Sequence, residues 1–420
     1  MPNNSIKLKY LIYPKIINRK MMRKILTMSI LILIGNNIAY SQFQAVKNFQ
    51  KEIIKNEITG SNVVMIFKEG EVVFLNAENS NLIGDKKINN QSYKPYQETL
   101  FPIWSMSKPI TVVSVMILVE KGLIKLDDNV SKYLPEFSEI YCKGKTGKYL
   151  CKKPLKIIHL LTHRSGFGYY SHQGYGYGLT STIKYNNLND FSKDLSKVVL
   201  EFEPGEKYYY GVNQALLGRV VEVVSKKNFY QFLKEEIFEP LDMSETKFYL
   251  TQEDRSRFQP LYINFGMIKG FTTELDELTY EESNSAYFGG EGLISTMNDY
   301  SNFCIMLLNG GIYKGKRIIS EKSIGIMTSK YSNSYPEEEF ADTSKLGFNY
   351  GFSMFVLDDP MVDGTGSTKG IYGWSGYHGT HFWIDPEKEM FALFMSRHRQ
   401  NISNTNIQKE LRRAVYGLSN

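Results

Sequence analysis

Ser105 and Lys108 stand three residues apart in Trp104-Ser105-Met106-Ser107-Lys108-Pro109, a spacing that puts a hydroxyl and an amine on one face of a helix. A lysine held against a serine and partly withdrawn from water can take or share the hydroxyl proton, and a helix amino terminus favours the anion that forms. Such a pair makes a nucleophile without any histidine. The spacing itself is common, recurring at Ser181/Lys184 and Ser244/Lys247 in polar, loop-like sequence. On the tetrad alone, a helix cap and a solvated charge account for Ser105 and Lys108.

The elements that must position the pair follow from the hydrophobic pattern. Phe43 to Ile58 repeats apolar residues at helical spacing, and Val63–Phe67 and Val72–Leu75 flank Lys68-Glu69-Gly70-Glu71 as a β-hairpin. Pro109 to Glu120 reads as a buried helix that Gly122 closes, with Ser105 at its amino-terminal end. Residues from about 126 to 284 alternate helical patterns with Tyr/Gly/Asn-rich loops and show few clean strands. Strand patterns return in Tyr350–Leu357, His381–Ile384 and Met390–Met395, before a last helix near Thr405–Tyr416. Strands at both ends and helices between them predict one sheet domain built from residues 42–125 and 285–420, with a mainly helical domain, 126–284, inserted.

With 420 residues, 42% hydrophobic and 14% aromatic, the chain can bury a large core. The net charge of +6 is concentrated at the start: residues 1–41 hold seven Lys/Arg and no acid, and taking these away leaves −1. A nearly neutral body lacks the electrostatic footprint of a nucleic-acid binder. Met22-Arg23-Lys24, the apolar run Ile25–Gly35 and Ala39-Tyr40-Ser41 form a secretory signal peptide pattern. The run is short for a spanning helix, which needs about 20 apolar residues, so an uncleaved anchor is the competing reading. The true start is Met1 or Met22. Cys142 and Cys151 flank a loop able to double back, and in an oxidising compartment they either form a disulfide or remain two surface thiols. Cys304 reads as a small buried apolar side chain.

In order along the chain stand Trp104-Ser105-Met106-Ser107-Lys108-Pro109, Leu123-Ile124-Lys125-Leu126-Asp127-Asp128, Leu160-Leu161-Thr162-His163-Arg164-Ser165-Gly166, Glu203-Pro204-Gly205, Gly289-Gly290-Glu291-Gly292-Leu293 and Phe382-Trp383-Ile384-Asp385-Pro386. This series resembles the serine β-lactamase superfamily, in the branch of class C β-lactamases, low-molecular-weight penicillin-binding proteins and family VIII carboxylesterases, over residues 44 to 417. The resemblance implies an α/β (α+β) fold, an antiparallel sheet flanked by helices, and a periplasmic or extracellular serine hydrolase working through an acyl-enzyme. It makes Ser105 the nucleophile, Lys108 its partner and Tyr210 the general base and acid, with Tyr209 as the competing register in Tyr208-Tyr209-Tyr210-Gly211-Val212-Asn213. The family's Tyr-x-Asn is not kept, because Val212 or Gly211 stands two residues on. The family's third motif aligns with Gly373-Trp374-Ser375-Gly376-Tyr377-His378-Gly379. Trp374 then replaces the lysine that pairs with a substrate carboxylate, and the Tyr377 amide joins that of Ser105 as an oxyanion donor. Ser375 and His378 line the pocket, and Gly376 either lets substrate approach or makes a tight turn. An indole in place of a cation suits uncharged esters or amides.

Other chemistries fit less well. No G-x-S-x-G elbow accompanies the six histidines. His159 and His163 have metal-ligand spacing without the Glu of H-E-x-x-H, and His378 and His381 would point to opposite faces of a strand, His381 with no evident task. Gly174, Gly176 and Gly178 read as a rim over the site rather than a nucleotide loop. No cofactor or metal is expected, and the partner is a small ester, amide or peptide. The substrate and the oligomeric state stay open, as do a D-Ala-D-Ala carboxypeptidase, a β-lactamase and a slowly acylating sensor.

Overall fold

The computed structural model describes residues 43–79, 97–169, 185–332 except 276, 277 and 279, 346–400 and 406–417. The predicted leader and the Gly174–Gly178 loop lie outside them. A first helix, α1 (43–55), leads into the hairpin β1 (Ser61–Lys68) and β2 (Glu71–Asn79). β1 is buried in all but its last residue, as the unbroken Val63-Val64-Met65-Ile66-Phe67 run requires of a strand covered on both faces. Helix α2 (Ser107–Glu120) is buried from Ser107 to Leu118, so it runs through the core rather than over it. It stops where Gly122 takes a left-handed φ of 71°.

Residues 126–284 hold more strand than the pattern predicts. β3 (Tyr141–Gly144) and β4 (Gly147–Leu150) form a hairpin, followed by α3 (Ile157–Leu161) and α4 (Asn213–Ser225). β5 (Leu261–Asn264) pairs with β6 (Lys269–Thr272). All four strands are only four residues long, too short for their alternation to stand out from loop sequence. Next come α5 (Met297–Leu308), β7 (Phe348–Tyr350), β8 (Phe355–Leu357), β9 (Tyr372–Gly376), β10 (Thr380–Asp385), β11 (Met390–Met395), β12 (His398–Gln400) and α6 (Ile407–Tyr416). The expected strand Tyr350–Leu357 is a hairpin corner instead: Gly351 donates to the Met354 carbonyl at 2.9 Å, and Ser353 turns the chain with a φ of 50°.

Seven antiparallel strands form one sheet in the order β7-β8-β9-β10-β11-β1-β2, so strands from both ends of the chain meet where β11 pairs with β1. Alternation assigns the faces. Phe382 of β10 meets Tyr300 of α5 at 5.3 Å, while its neighbour Trp383 donates its indole N–H to Tyr416 of α6 at 3.2 Å. Phe74 of β2 stacks on Phe43 of α1. Opposite Phe382 in the register sits Trp374, which therefore faces the helical layer that contains α5. β12 leaves the main sheet and lies parallel to β5. Among the described residues, no helix is long and apolar enough to cross a membrane.

Cys142 and Cys151 are disulfide-bonded across the β3–β4 hairpin. Closing a loop of about ten residues removes unfolded-state entropy worth about 2–3 kcal/mol. Cys142→Ser/Cys151→Ser should therefore lower the urea midpoint with little change in slope. Equal midpoints for the two proteins would mean that the bond is not formed in solution.

Candidate active site

Ser105 sits in a 3-10 turn, Trp104–Met106, immediately ahead of α2. Trp104 takes a φ of 46°, a conformation that costs a bulky side chain about 1–3 kcal/mol and persists only where its surroundings enforce it. Lys108, on the first turn of α2, is fully buried. Its Nζ donates to Ser105 Oγ at 2.9 Å, to Tyr169 Oη at 2.8 Å and to the Gly290 carbonyl at 2.7 Å. An ammonium has three N–H groups, and each has an acceptor. The 289–293 segment is held against α2 by further bonds, Thr111 Oγ1 to the Gly289 carbonyl at 2.7 Å and the Leu293 amide to Ser107 Oγ at 3.2 Å.

Tyr210 donates its hydroxyl to Ser105 Oγ at 2.7 Å, and its ring centroid lies 4.8 Å from Lys108 Nζ. The competing register is engaged elsewhere. Tyr209 packs edge-on against Phe202, and Tyr208 stacks on Tyr350 at 4.3 Å. Behind Tyr210, at 4.7 Å between rings, lies the buried His163. Its Nδ1 pairs with Asn213 Nδ2 at 2.9 Å and its Nε2 with Ser353 Oγ at 3.3 Å. Burial, reinforced by the charge of Lys108, holds this imidazole neutral, well below its usual range. Val212 is fully buried and Asn213 is tied to Ser165 and His163, so neither presents an amide to a substrate.

β9 closes the other side. Trp374 is buried and lies 5.9 Å from the Tyr210 ring, between centroids. Gly376 opens the tight turn between β9 and β10, its carbonyl accepting from the Gly379 amide at 3.2 Å, and a Cβ there would sit 2.3 Å from the Ile103 carbonyl and 2.2 Å from Thr380 Oγ1. The missing side chain lets β9 lie against the backbone just before Ser105. Tyr377 and His378 stack on each other at 4.4 Å, both edge-on to Trp104. His378 is not on a strand; it occupies the β9–β10 turn with a φ of 64°. His381, for which the sequence offered no task, shares a hydrogen bond with Ser375 Oγ at 2.8 Å. His159 and His163 do not converge on a common point either. His159 Nδ1 accepts from the Lys156 amide at 3.2 Å, and His163 is engaged as described above.

The beta-lactamase family profile matches residues 47–416. The chain belongs to the beta-lactamase family. Over 396 residues it is 24% identical to esterase EstB of Burkholderia gladioli, covering 88% of this chain and 93% of that one. A putative D-alanyl-D-alanine carboxypeptidase of Escherichia coli is 25% identical over 357 residues, covering 79% of this chain and 77% of the relative. Among solved structures, EstCE1, described as a hydrolase with promiscuous acyltransferase activity, superposes with a TM-score of 0.76 at 24% identity, covering 90% of this chain and 100% of its own, which shows a shared fold.

In this beta-lactamase-family chain the other two serine–lysine pairs are set apart. Lys247 is salt-bridged to Asp254 at 2.6 Å beside an exposed Ser244, and Ser181/Lys184 lie outside the described residues. Three groups around Lys108 escaped the sequence reading. The Gly290 carbonyl has no side-chain signature, and Tyr169 lies 61 residues away among many tyrosines. Glu291, whose Oε2 accepts from Tyr169 Oη at 3.3 Å, was visible only as an acid amid glycines.

Two stability predictions follow from this packing. Gly376→Ala should cost about 1–3 kcal/mol by overpacking. Gly325→Ala, where nothing lies within 4 Å, should cost nothing; equal melting shifts would refute the contact argument. The second prediction concerns acid. His163 is held well below its usual range, His159 and His398 are lowered to about 4 and His378 to about 3, all chiefly by burial. The unfolded chain binds these protons first, near pH 6.5, so stability is highest above that pH and falls as pH drops toward 4. For the fully buried His163 the slope approaches about 1.4 kcal/mol per pH unit. Melting curves between pH 7.5 and 4 test this: the profile of His163→Gln should be shallower than that of wild type, with the remaining slope due to His159, His378 and His398, and parallel profiles would refute the share given to His163.

Proposed function

We propose that the protein is a serine hydrolase that cleaves uncharged esters or amides through an acyl-enzyme on Ser105. The observation that carries this reading is the pair of donors on one oxygen, Tyr210 Oη at 2.7 Å and Lys108 Nζ at 2.9 Å from Ser105 Oγ. Once Tyr210 has lost its own hydroxyl proton to solvent, its phenolate, held beside the Lys108 ammonium, takes the Ser105 proton as Oγ bonds to the substrate carbonyl carbon. The negative charge passes to the carbonyl oxygen, held by the Ser105 and Tyr377 amides that the family resemblance assigns to that task. Tyr210 returns the proton to the leaving alcohol or amine as the carbonyl–heteroatom bond breaks. A water, relieved of its proton by Tyr210, then attacks the acyl carbon and frees Ser105.

The substrate class rests on Trp374. With Tyr210 at 5.9 Å and Tyr350 edge-on at the same distance, it supplies an aromatic wall where an ionic anchor for a carboxylate would stand. Likeness to an esterase of known name agrees with this preference. Export is part of the same proposal, supported by the basic and apolar leader pattern of residues 22–41 and by the disulfide between Cys142 and Cys151.

Hydrolysis of short p-nitrophenyl esters, with nitrocefin alongside, tests the proposal. Ser105→Ala should lose at least about 10³-fold in kcat and Tyr210→Phe about 10²–10⁴-fold. Trp374→Lys should weaken ester hydrolysis and improve carboxylate-bearing substrates. A Ser105→Ala protein as fast as wild type would sink the assignment.

A further inference from the structure

Resting on the acyl-transfer reading, the geometry points to Glu291 as a positioning residue that sets the working pH of the Ser105 site through Tyr169. Lys108, as an ammonium, has no lone pair, so Tyr169 Oη accepts from it at 2.8 Å. The single hydroxyl hydrogen of Tyr169 is then turned away from Lys108, toward Glu291 Oε2 at 3.3 Å. The chain of donors runs one way, from Lys108 to Tyr169 to Glu291. Burial, then the nearby negative charge of Glu291 and the neighbouring Tyr210 hydroxyl, push the Tyr169 hydroxyl well above its usual range, so it keeps a hydrogen to donate.

The acid sits there for a local reason. Glu291 is 6% exposed, lies within Gly289-Gly290-Glu291-Gly292, and its own amide donates to the Phe288 carbonyl at 3.2 Å. The same segment supplies the Gly290 carbonyl to Lys108 at 2.7 Å. One short stretch thus delivers a neutral acceptor directly and an anionic one through a phenol. Among the described residues, the titratable groups facing this cluster are Lys108 of α2, Tyr169, Tyr210, His163 and Glu291. With His163 held neutral by burial, Glu291 is the acid among them. A buried negative charge two hydrogen bonds from Lys108 makes every proton loss in the cluster harder.

Removing that charge should move the pH–rate profile to lower pH. The measurement is the second-order rate at which a fluorophosphonate labels Ser105, followed by intact mass from pH 5 to 10, in wild type, Glu291→Gln, Tyr169→Phe and the double variant. Glu291→Gln should shift the profile down by about one pH unit. Tyr169→Phe, which removes an acceptor from Lys108, should shift it the same way. In the Tyr169→Phe background, Glu291→Gln should add less than half of its effect in wild type, because the phenol carries the coupling. Circular dichroism and melting establish that each variant is folded; should Glu291→Gln fail to fold, the Tyr169→Phe shift decides. Superimposed profiles, or a Glu291→Gln shift of equal size in both backgrounds, overturn this inference alone. A wild-type protein that takes no label at Ser105 overturns the acyl-transfer reading and this inference together.

Discussion

A fully buried ammonium is the constraint around which this molecule is arranged. Taking a lysine out of water is costly unless its hydrogens find acceptors, and Lys108 is satisfied only by groups brought from three separate parts of the chain. Ser105 arrives from the 3-10 turn ahead of α2, Tyr169 from the loop after α3, and Gly290 from the segment before α5. Each acceptor fixes the place of the element that carries it.

The sheet and the helices meet this demand differently. α2 is buried around most of its length and packed mainly through apolar side chains, whereas β9 is brought to the helix terminus by the absence of a side chain at Gly376. Trp104, bent into a left-handed conformation, is braced by Tyr377 and His378 from the turn beyond β9. The serine is thus held from both directions, and the strain next to it is supported by aromatic contacts rather than by the helix alone.

Much of this was legible in the sequence, for reasons that differ by residue. Ser105 and Lys108 share a helical turn, and the order of motifs along the chain fixed which of three such pairs to follow. Tyr210 was readable through the family resemblance, with Tyr209 competing, and the structure places the hydroxyl of Tyr210 at Ser105 Oγ. The sheet of both termini followed from strand patterns near each end. Tyr350–Leu357 misread as a single strand because its apolar residues continue through the corner at Gly351–Ser353, where a positive φ rather than composition turns the chain. Tyr169, the Gly290 carbonyl and Glu291 were hidden because their partnership is tertiary: nothing local distinguishes one tyrosine, one glycine carbonyl or one acid from its neighbours.

The contacts at Lys108 also bear on how the chain reaches its native state. Its acceptors lie 3, 61 and 182 residues away, and Tyr210 meets Ser105 across 105 residues. The sheet itself closes only when β1 finds β11, pairing residues as distant as Val63 and Met395. Contacts of such long range pay their loop-closure entropy late and fold slowly. An amino-terminal portion of the chain that contains Ser105 and Lys108 but ends before Tyr169 holds a lysine with two of its three acceptors missing, and one that ends before Gly290 still lacks the third. The Ser105–Lys108–Tyr210 cluster is therefore a product of complete folding, unassembled in any partly synthesised or partly folded chain.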